Sequence, residues 1–415
     1  MYIGAKFIKI HNAVAIRKMD KYIKDIIEEN KYSIAFLFGN GIHRYFQKNS
    51  LPWDRLLEDL WIRYRSDKFR GIDSGLSYTE YYDIIELSAI HDFTYMTEER
   101  NRSGCLKITL KDLDKRLAQS VTNYMYDQLL IHNGHLFDSY NINCYNWGND
   151  IIDEAIRTLK GYEVEIINPM VQLINGLSID TIKNFYYNSI KRYVAFKVAN
   201  WKAIDNIKII VNKIMQLDAP LLTTNYDSVF VESIGESNSL LKRLSSKDSF
   251  NFHKVYPWNS YYAAQRLISP ASGFGIWKIH GDNRYPDSIR LGLCDYMGCI
   301  QKARSMIQGA DKSSIEDFCG KNQYGWKGWN TWLHIIFNKS LMIIGLGLEK
   351  DEAFLRWLLI QRAKWYNYTG CRYDGWYIIG PNDKLNKGKR LFLESVGFEI
   401  IEVPDYKIIY EDVWR

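Results

Sequence analysis

Four short clusters in this sequence combine residue types that bind or react with polar ligands. Gly39-Asn40-Gly41-Ile42-His43-Arg44 sets two glycines around an asparagine, a turn whose missing side chains let a diphosphate approach backbone N–H groups and a helix N-terminus. Arg44 stands where a G-x-G-x-x-G fingerprint has its third glycine, so the same residues also read as a plain strand-to-helix turn. Thr223-Thr224-Asn225-Tyr226-Asp227 offers an amide and a carboxylate two residues apart, able either to cap the next helix or to face a cleft. His280-Gly281-Asp282 carries an imidazole, the side chain that titrates near neutrality, next to a glycine that would leave it uncrowded. A satisfied structural histidine is the competing role. Gly345-Leu346-Gly347-Leu348-Glu349-Lys350-Asp351 is a second glycine pair followed by charge. Each cluster has an ordinary explanation by itself, but all four directly follow a short apolar run.

Those runs are the elements that must position the clusters. Asp20 can cap a helix with the apolar face Tyr22, Ile23, Ile26 and Ile27, closed at Asn30-Lys31. Ile34-Ala35-Phe36-Leu37-Phe38 reads as a buried strand, after which Trp53, Leu56, Leu57, Leu60 and Tyr64 follow helical spacing. Strand signals resume at 221–224, 275–279, 340–344, 376–379 and 398–401, with helical patterns at 351–365 and 387–395. Short buried strands alternating with helices predict an α/β fold, a Rossmann-like mostly parallel sheet with helices on both faces. Ligands of such sheets sit beyond the carboxyl ends of the strands, where the clusters fall. From 77 to 217 the texture is helical instead. It holds a Ser77-x-x-Glu80 capping box, an amphipathic stretch over 110–130, an Asn168-Pro169 start signal, and Phe185, Tyr186, Ile190, Tyr193 and Phe196 in helical register. The reading is a large helical insertion over 76–205 within a domain made of 1–75 and 206–415.

Composition narrows the function classes. At 47% apolar and 25% charged, the 415 residues form a folded chain, not a disordered one. The net charge of +6 comes from 54 basic and 48 acidic residues without any block of five or six like charges, so nucleic acid is expected as a partner only indirectly. The six cysteines, at 105, 144, 294, 299, 319 and 371, form no C-x-x-C pair, and no metal is expected. Their scatter, the lack of a clean apolar core in the first 18 residues, and the lack of any membrane-length apolar run lead to the expectation of a cytoplasmic protein with reduced thiols.

Taken together, the clusters resemble the sirtuin-like NAD-binding family, and in particular its bacterial antiphage-defence branch, which hydrolyses NAD instead of deacetylating lysine. FLFGNGIHR is similar to the family's glycine turn. Thr223 to Asp227 matches the branch's T-T-N-Y-D. Trp277-Lys278-Ile279-His280-Gly281 resembles the strand that ends in the family's His-Gly. Residues 345–351, with Leu355 beyond, are similar to the branch's later glycine–serine–aspartate signature, although Leu346 and Gly347 stand where a polar residue is common. Pro52-Trp53-Asp54 with Leu56-Leu57 resembles the branch's Trp-x-x-Leu-Leu helix. The likeness covers 31–65 and 218–405. The Gly-Ile-Pro-Asp-Phe-Arg extension and the paired C-x-x-C zinc ligands of deacetylases are absent from the sequence, which argues against protein deacylation.

The resemblance implies an NAD+ glycohydrolase giving ADP-ribose and nicotinamide, an effector of antiphage defence by NAD depletion. It implies Asn225 and His280 as the catalytic residues, with Asn225 holding the ribose or the attacking water and His280 as general base. NAD, as substrate, would contact Gly39, Asn40, Gly41, Arg44, Thr224, Asp227, Gly345 and Gly347. A homo-oligomer, and a HerA-like ATPase or other sensor protein as partner, are implied as the devices that restrain such an activity, with the insertion as the place for assembly or gating. A catalytically silent subunit that senses NAD or ADP-ribose, or acts as a scaffold, is the alternative.

Overall fold

The computed structural model describes residues 13–47, 53–65, 69, 75–88, 190–191, 193–195, 197–199, 201–235, 241–243, 256–307, 326–383 and 385–415. The helical stretches expected at 110–130, at 168 and at 185, and most of the expected insertion, lie outside these residues. In chain order the elements are α1 (Ala13–Glu29), β1 (Ile34–Phe38), α2 (Gly41–Phe46), α3 (Trp53–Tyr64), α4 (Asp205–Gln216), β2 (Leu221–Thr223), α5 (Val229–Glu232), β3 (Leu241–Arg243), β4 (Ser260–Tyr262) and β5 (Ile276–Lys278). They continue with α6 (Leu293–Ile307), α7 (Leu333–Asn338), β6 (Ser340–Ile344), α8 (Ala353–Thr369), β7 (Gly375–Ile379), α9 (Lys387–Ser395), β8 (Glu399–Glu402) and α10 (Tyr406–Tyr410).

The chain divides into two compact units, Met1–Pro52 with Val194–Arg415, and Trp53–Tyr193. The sequence pattern places this border at 76 and 205. In the second unit α3 sets Trp61 edge-on to Tyr81, 5.5 Å between ring centroids. Ser77 and Glu80 form the expected reciprocal cap of the helix over 78–88. The Ser77 N–H donates to Glu80 Oε2 at 2.8 Å and the Glu80 N–H to Ser77 Oγ at 3.2 Å.

The first unit is built on one eight-stranded sheet in the order β3-β4-β5-β2-β1-β6-β7-β8. The six strands from β5 to β8 are parallel, and β4 and β3 add antiparallel at one edge. Numbered among themselves, the six parallel strands run 3-2-1-4-5-6, the doubly wound order, with its reversal between β1 and β6. Helices cover both faces, which is why β1, β6 and β7 are buried at every position instead of alternating. Ala35, Leu37, Leu222, Trp277, Leu341 and Ile343 pack with α6, α7 and α8. Ile34, Phe36, Phe38, Leu221, Ile276 and Met342 pack with α1, α4, α5 and α10 on the opposite face.

α1 starts seven residues before Asp20, so Asp20 lies inside the helix, where its carboxylate meets Lys24 Nζ at 3.2 Å one turn on instead of capping. Tyr22, expected on the apolar face, is 43% exposed and donates from Oη to Glu399. No helix among the described residues is long and apolar enough to cross a membrane.

One buried cation ties three elements together. Arg362 of α8, 1% exposed, donates to the carbonyls of Ile336, Lys339, Tyr373 and Asp374 and lies over the rings of Tyr366 and Phe398. It thereby fixes the chain entering β6 and β7. Arg362→Leu removes all these donors at once and is expected to lower the unfolding free energy in urea by about 3 kcal/mol or more.

Candidate active site

The carboxyl ends of β1 and β6 meet at the reversal, and glycines make the meeting possible. Gly39 N–H donates to Ile344 O at 3.0 Å and Gly41 N–H to Gly345 O at 2.8 Å. A Cβ on Gly41 would lie 2.6 Å from Gly345 Cα and 2.6 Å from Tyr410 Oη, and one on Gly345, whose φ is +63°, would lie 2.5 Å from the same hydroxyl. The expected phosphate turn is thus filled by protein on the side its glycines open. The N–H groups of both glycines are engaged by the β6 exit. Asn40 precedes α2 without a side-chain cap, and its Oδ1 is buried without a hydrogen-bond partner among the described residues. Arg44 is exposed on α2 and lies toward Tyr406 and Tyr410, where it offsets the upward shift of their hydroxyls. Gly347 is exposed, with room for a side chain.

The next loop is anchored to the first. Thr223 of β2 pairs in register with Lys278 of β5, so Asn225 and His280 each stand two residues beyond paired positions on adjacent parallel strands. Thr224, 7% exposed, donates its N–H to Phe38 O, and Asn225, 5% exposed, donates Nδ2 to Gly39 O at 3.2 Å. Asp227 turns inward: its Oδ1 accepts the Val229 N–H at 2.9 Å, an Asx-turn, and its Oδ2 lies 2.9 Å from His43 Nε2. Lys278 Nζ donates to the Asp227 carbonyl. Burial by itself would raise the Asp227 carboxyl, but His43, Lys278 and the Val229 N–H outweigh it and hold the group down at about 2. Burial pulls the Lys278 ammonium below its usual range against the attraction of Asp282 and Asp227. Asp282 is itself buried, accepting from Tyr262 Oη at 2.6 Å and from the Arg284 N–H at 2.9 Å.

His280 is 2% exposed, not open as its glycine neighbour suggested. Gly281 serves the backbone instead, with φ +110° and a Cβ direction 2.5 Å from Ser288 O. The imidazole packs beside the Tyr296 ring at 5.4 Å, and its Nε2 lies 3.6 Å from Glu352 Oε2. Among the described residues neither of these two atoms has a hydrogen-bond partner. Burial holds the imidazole down to about 3, and burial followed by Asp351 pushes the Glu352 carboxyl up to about 8. Sequence reasoning gave no role to Glu352, which faces His280, or to His43, which faces Asp227. The signal for Glu352 was its place just after the second glycine cluster, and for His43 its place within the first.

The structure therefore gathers two groups at one sheet edge. Gly39, Gly41, Thr224, Asn225, Asp227 and Gly345 belong to one bonded framework, and His280 belongs with Glu352 and Tyr296. Among the described residues Asn225 and His280 share no hydrogen bond; what they share is strand register. A recess walled by Ser260, Tyr262, Lys278, Asp282 and Ser288 has room for little more than one water, and neither residue lines it. Among the described residues no group of three or more His, Cys, Asp or Glu could hold a metal. No protein-family model and no curated protein matches the chain.

Two outcomes test this geometry. Gly345→Ala is expected to cost about 2 kcal/mol in thermal unfolding, part of it recovered by adding Tyr410→Phe, whereas Gly41→Ala meets the Gly345 backbone as well as that hydroxyl and is recovered less by that change. Asp227 has its folded value below its ordinary one near 3.9, so its stabilisation is present above that value and fades as pH falls toward about 2. Asp227→Asn should therefore flatten the acid limb of the stability curve, a change worth about 2 kcal/mol at neutral pH.

Proposed function

We propose that the chain is an NAD+ glycohydrolase. The observation that carries the reading is the placement of Asn225 and His280 at equivalent positions after adjacent parallel strands, beside the β1–β6 reversal where doubly wound sheets bind nucleotides. The T-T-N-Y-D and His-Gly resemblance supplies the chemistry.

In this reading Asn225 orients the ribose or the attacking water, its amide aimed by the Gly39 carbonyl. His280 takes a proton from that water as oxygen bonds to the anomeric carbon. The bond from that carbon to the nicotinamide nitrogen breaks, and its electron pair discharges the pyridinium, so no strong acid is needed at the leaving group. The proton passes to solvent, and water plus NAD gives ADP-ribose, nicotinamide and H+. A positioned base of this kind contributes about 10²–10⁴-fold. Asp227, clamped by His43 and Lys278, holds the loop that carries Asn225.

The burial of both residues supports a restrained state, in which the edge must open before a dinucleotide enters. A homo-oligomer, or a HerA-like ATPase or other sensor as partner, would open it, and the biological role would be defence by NAD depletion. The same burial favours a second reading, a subunit that senses NAD or ADP-ribose without turnover.

Nicotinamide release by the full chain, alone and with assembly partners, separates the two. The hydrolase reading expects release, with Asn225→Ala and His280→Ala each lowering kcat by about 10²-fold or more while nucleotide binding by calorimetry persists. Binding without release supports the sensing role, and neither binding nor release overturns both.

A further inference from the structure

We propose that Glu352 is the positioning residue for His280: its carboxylate takes the Nε2–H of the imidazole and thereby presents Nδ1 as the free base. The inference rests on the hydrolase reading for its consequence, but its content is the location of a proton in the free protein.

The geometry selects the pair. Nε2 of His280 and Oε2 of Glu352 face each other at 3.6 Å, both shut off from solvent and, among the described residues, both without a hydrogen-bond partner. About half an ångström of closure makes a hydrogen bond, and such contacts commonly tighten when ligand binds. The two side chains come from independently anchored backbone. The His280 carbonyl accepts the Arg290 N–H at 2.9 Å, and the preceding carbonyl, that of Ile279, accepts Tyr256 Oη. Glu352 donates its N–H to Glu349 O, and its carbonyl accepts the Arg356 N–H as α8 begins. The loop before it is pinned by Tyr377 Oη on the Leu346 and Gly347 carbonyls, and holds buried Leu348 at φ +46°, a conformation that a branched side chain resists.

A nitrogen that faces a carboxyl group does not face substrate, so the base must be Nδ1. With Glu352 protonated, its O–H donates to Nε2, the imidazole proton sits on Nδ1, and that nitrogen has no free lone pair to accept a proton. With Glu352 ionised, Nε2–H donates to the carboxylate and the Nδ1 lone pair is free. When Nδ1 then takes the water proton, the imidazolium forms against a carboxylate, as in other carboxylate–histidine pairs.

Among the described residues the charges around the pair are few. Asp351 precedes Glu352 and favours its protonated form. From α6, Tyr296 presents its ring to His280, and Asp295 lies 3.9 Å from Arg290. The Arg290 guanidinium donates to the Asp287 and Ile289 carbonyls. The Arg356 guanidinium lies over Phe392 and donates to Leu348 O, and Glu349 is paired with Lys389. The ready tautomer should thus grow as pH rises through the Glu352 value of about 8.

Nitrogen-15 spectra of histidine-labelled full-length protein read the tautomer directly, with the His280 signals assigned by their loss in His280→Gln. Between about pH 6 and about pH 10 the wild type is expected to pass from Nδ1–H to Nε2–H. Glu352→Gln should abolish that transition and Glu352→Asp should keep it. In turnover, kcat should rise through the same midpoint, Glu352→Gln should flatten the rise, and Glu352→Leu should lower kcat by about 10²-fold with KM little changed. A wild-type His280 without a tautomer change overturns the proposal even if no variant folds, and so does a transition that survives in Glu352→Gln. If the transition occurs and NAD is never cleaved, the pairing stands and the hydrolase reading falls.

Discussion

The candidate site is referred to one main-chain junction, the pair of hydrogen bonds from Gly39 and Gly41 to the carbonyls of Ile344 and Gly345. Backbone meets backbone there because no Cβ intervenes, and Tyr410 closes the remaining space. The other parts are measured from it. Asn225 hangs from the Gly39 carbonyl, and Glu352 ends the loop that Gly345 begins. Amide, imidazole and carboxyl are thereby related through short runs of bonded main chain on rigid strands, the arrangement that holds reactive groups to a fraction of an ångström.

The same edge treats its buried ionisable groups in two opposite ways. Asp227 is surrounded by donors and stays charged, so it acts as a fixed point for the loop around it. His280 and Glu352 face each other without a hydrogen-bond partner among the described residues and are driven toward their uncharged forms. Neighbouring groups whose surroundings push their proton affinities apart are the usual basis for dividing acid and base roles in one site. In the proposed reading the first cluster supplies position, and the second supplies the proton that moves.

How much of this could be read from the sequence followed from how local each signal was. β1 and β6 were legible because unbroken apolar runs end at glycines, and Ser77 with Glu80 because a capping box spans four residues. β3 and β4, Leu241-Lys242-Arg243 and Ser260-Tyr261-Tyr262, lack the aliphatic run that marks β2 and β5 at the same length, so the antiparallel edge was not anticipated. α7 is apolar along most of its length and runs almost directly into β6, so its helical period is hidden. Asn225 and His280 were marked by motif, but their partners were not. Glu352 reaches His280 across 72 residues of sequence, and His43 reaches Asp227 across 184; only the strand order 5-2-1-6 brings such pairs together. Burial was the other blind spot, since a histidine before a glycine looks open until Ser288 and Tyr296 are in place.

β8 closes one margin of the sheet with Glu399 and Glu402 exposed, and these engage Tyr22 and Arg390. An unpaired strand is a template on which another chain can lay itself, and paired acids at both ends of so short a strand repel a like copy before main-chain bonds can form. Growth of the sheet from this margin is therefore opposed by charge.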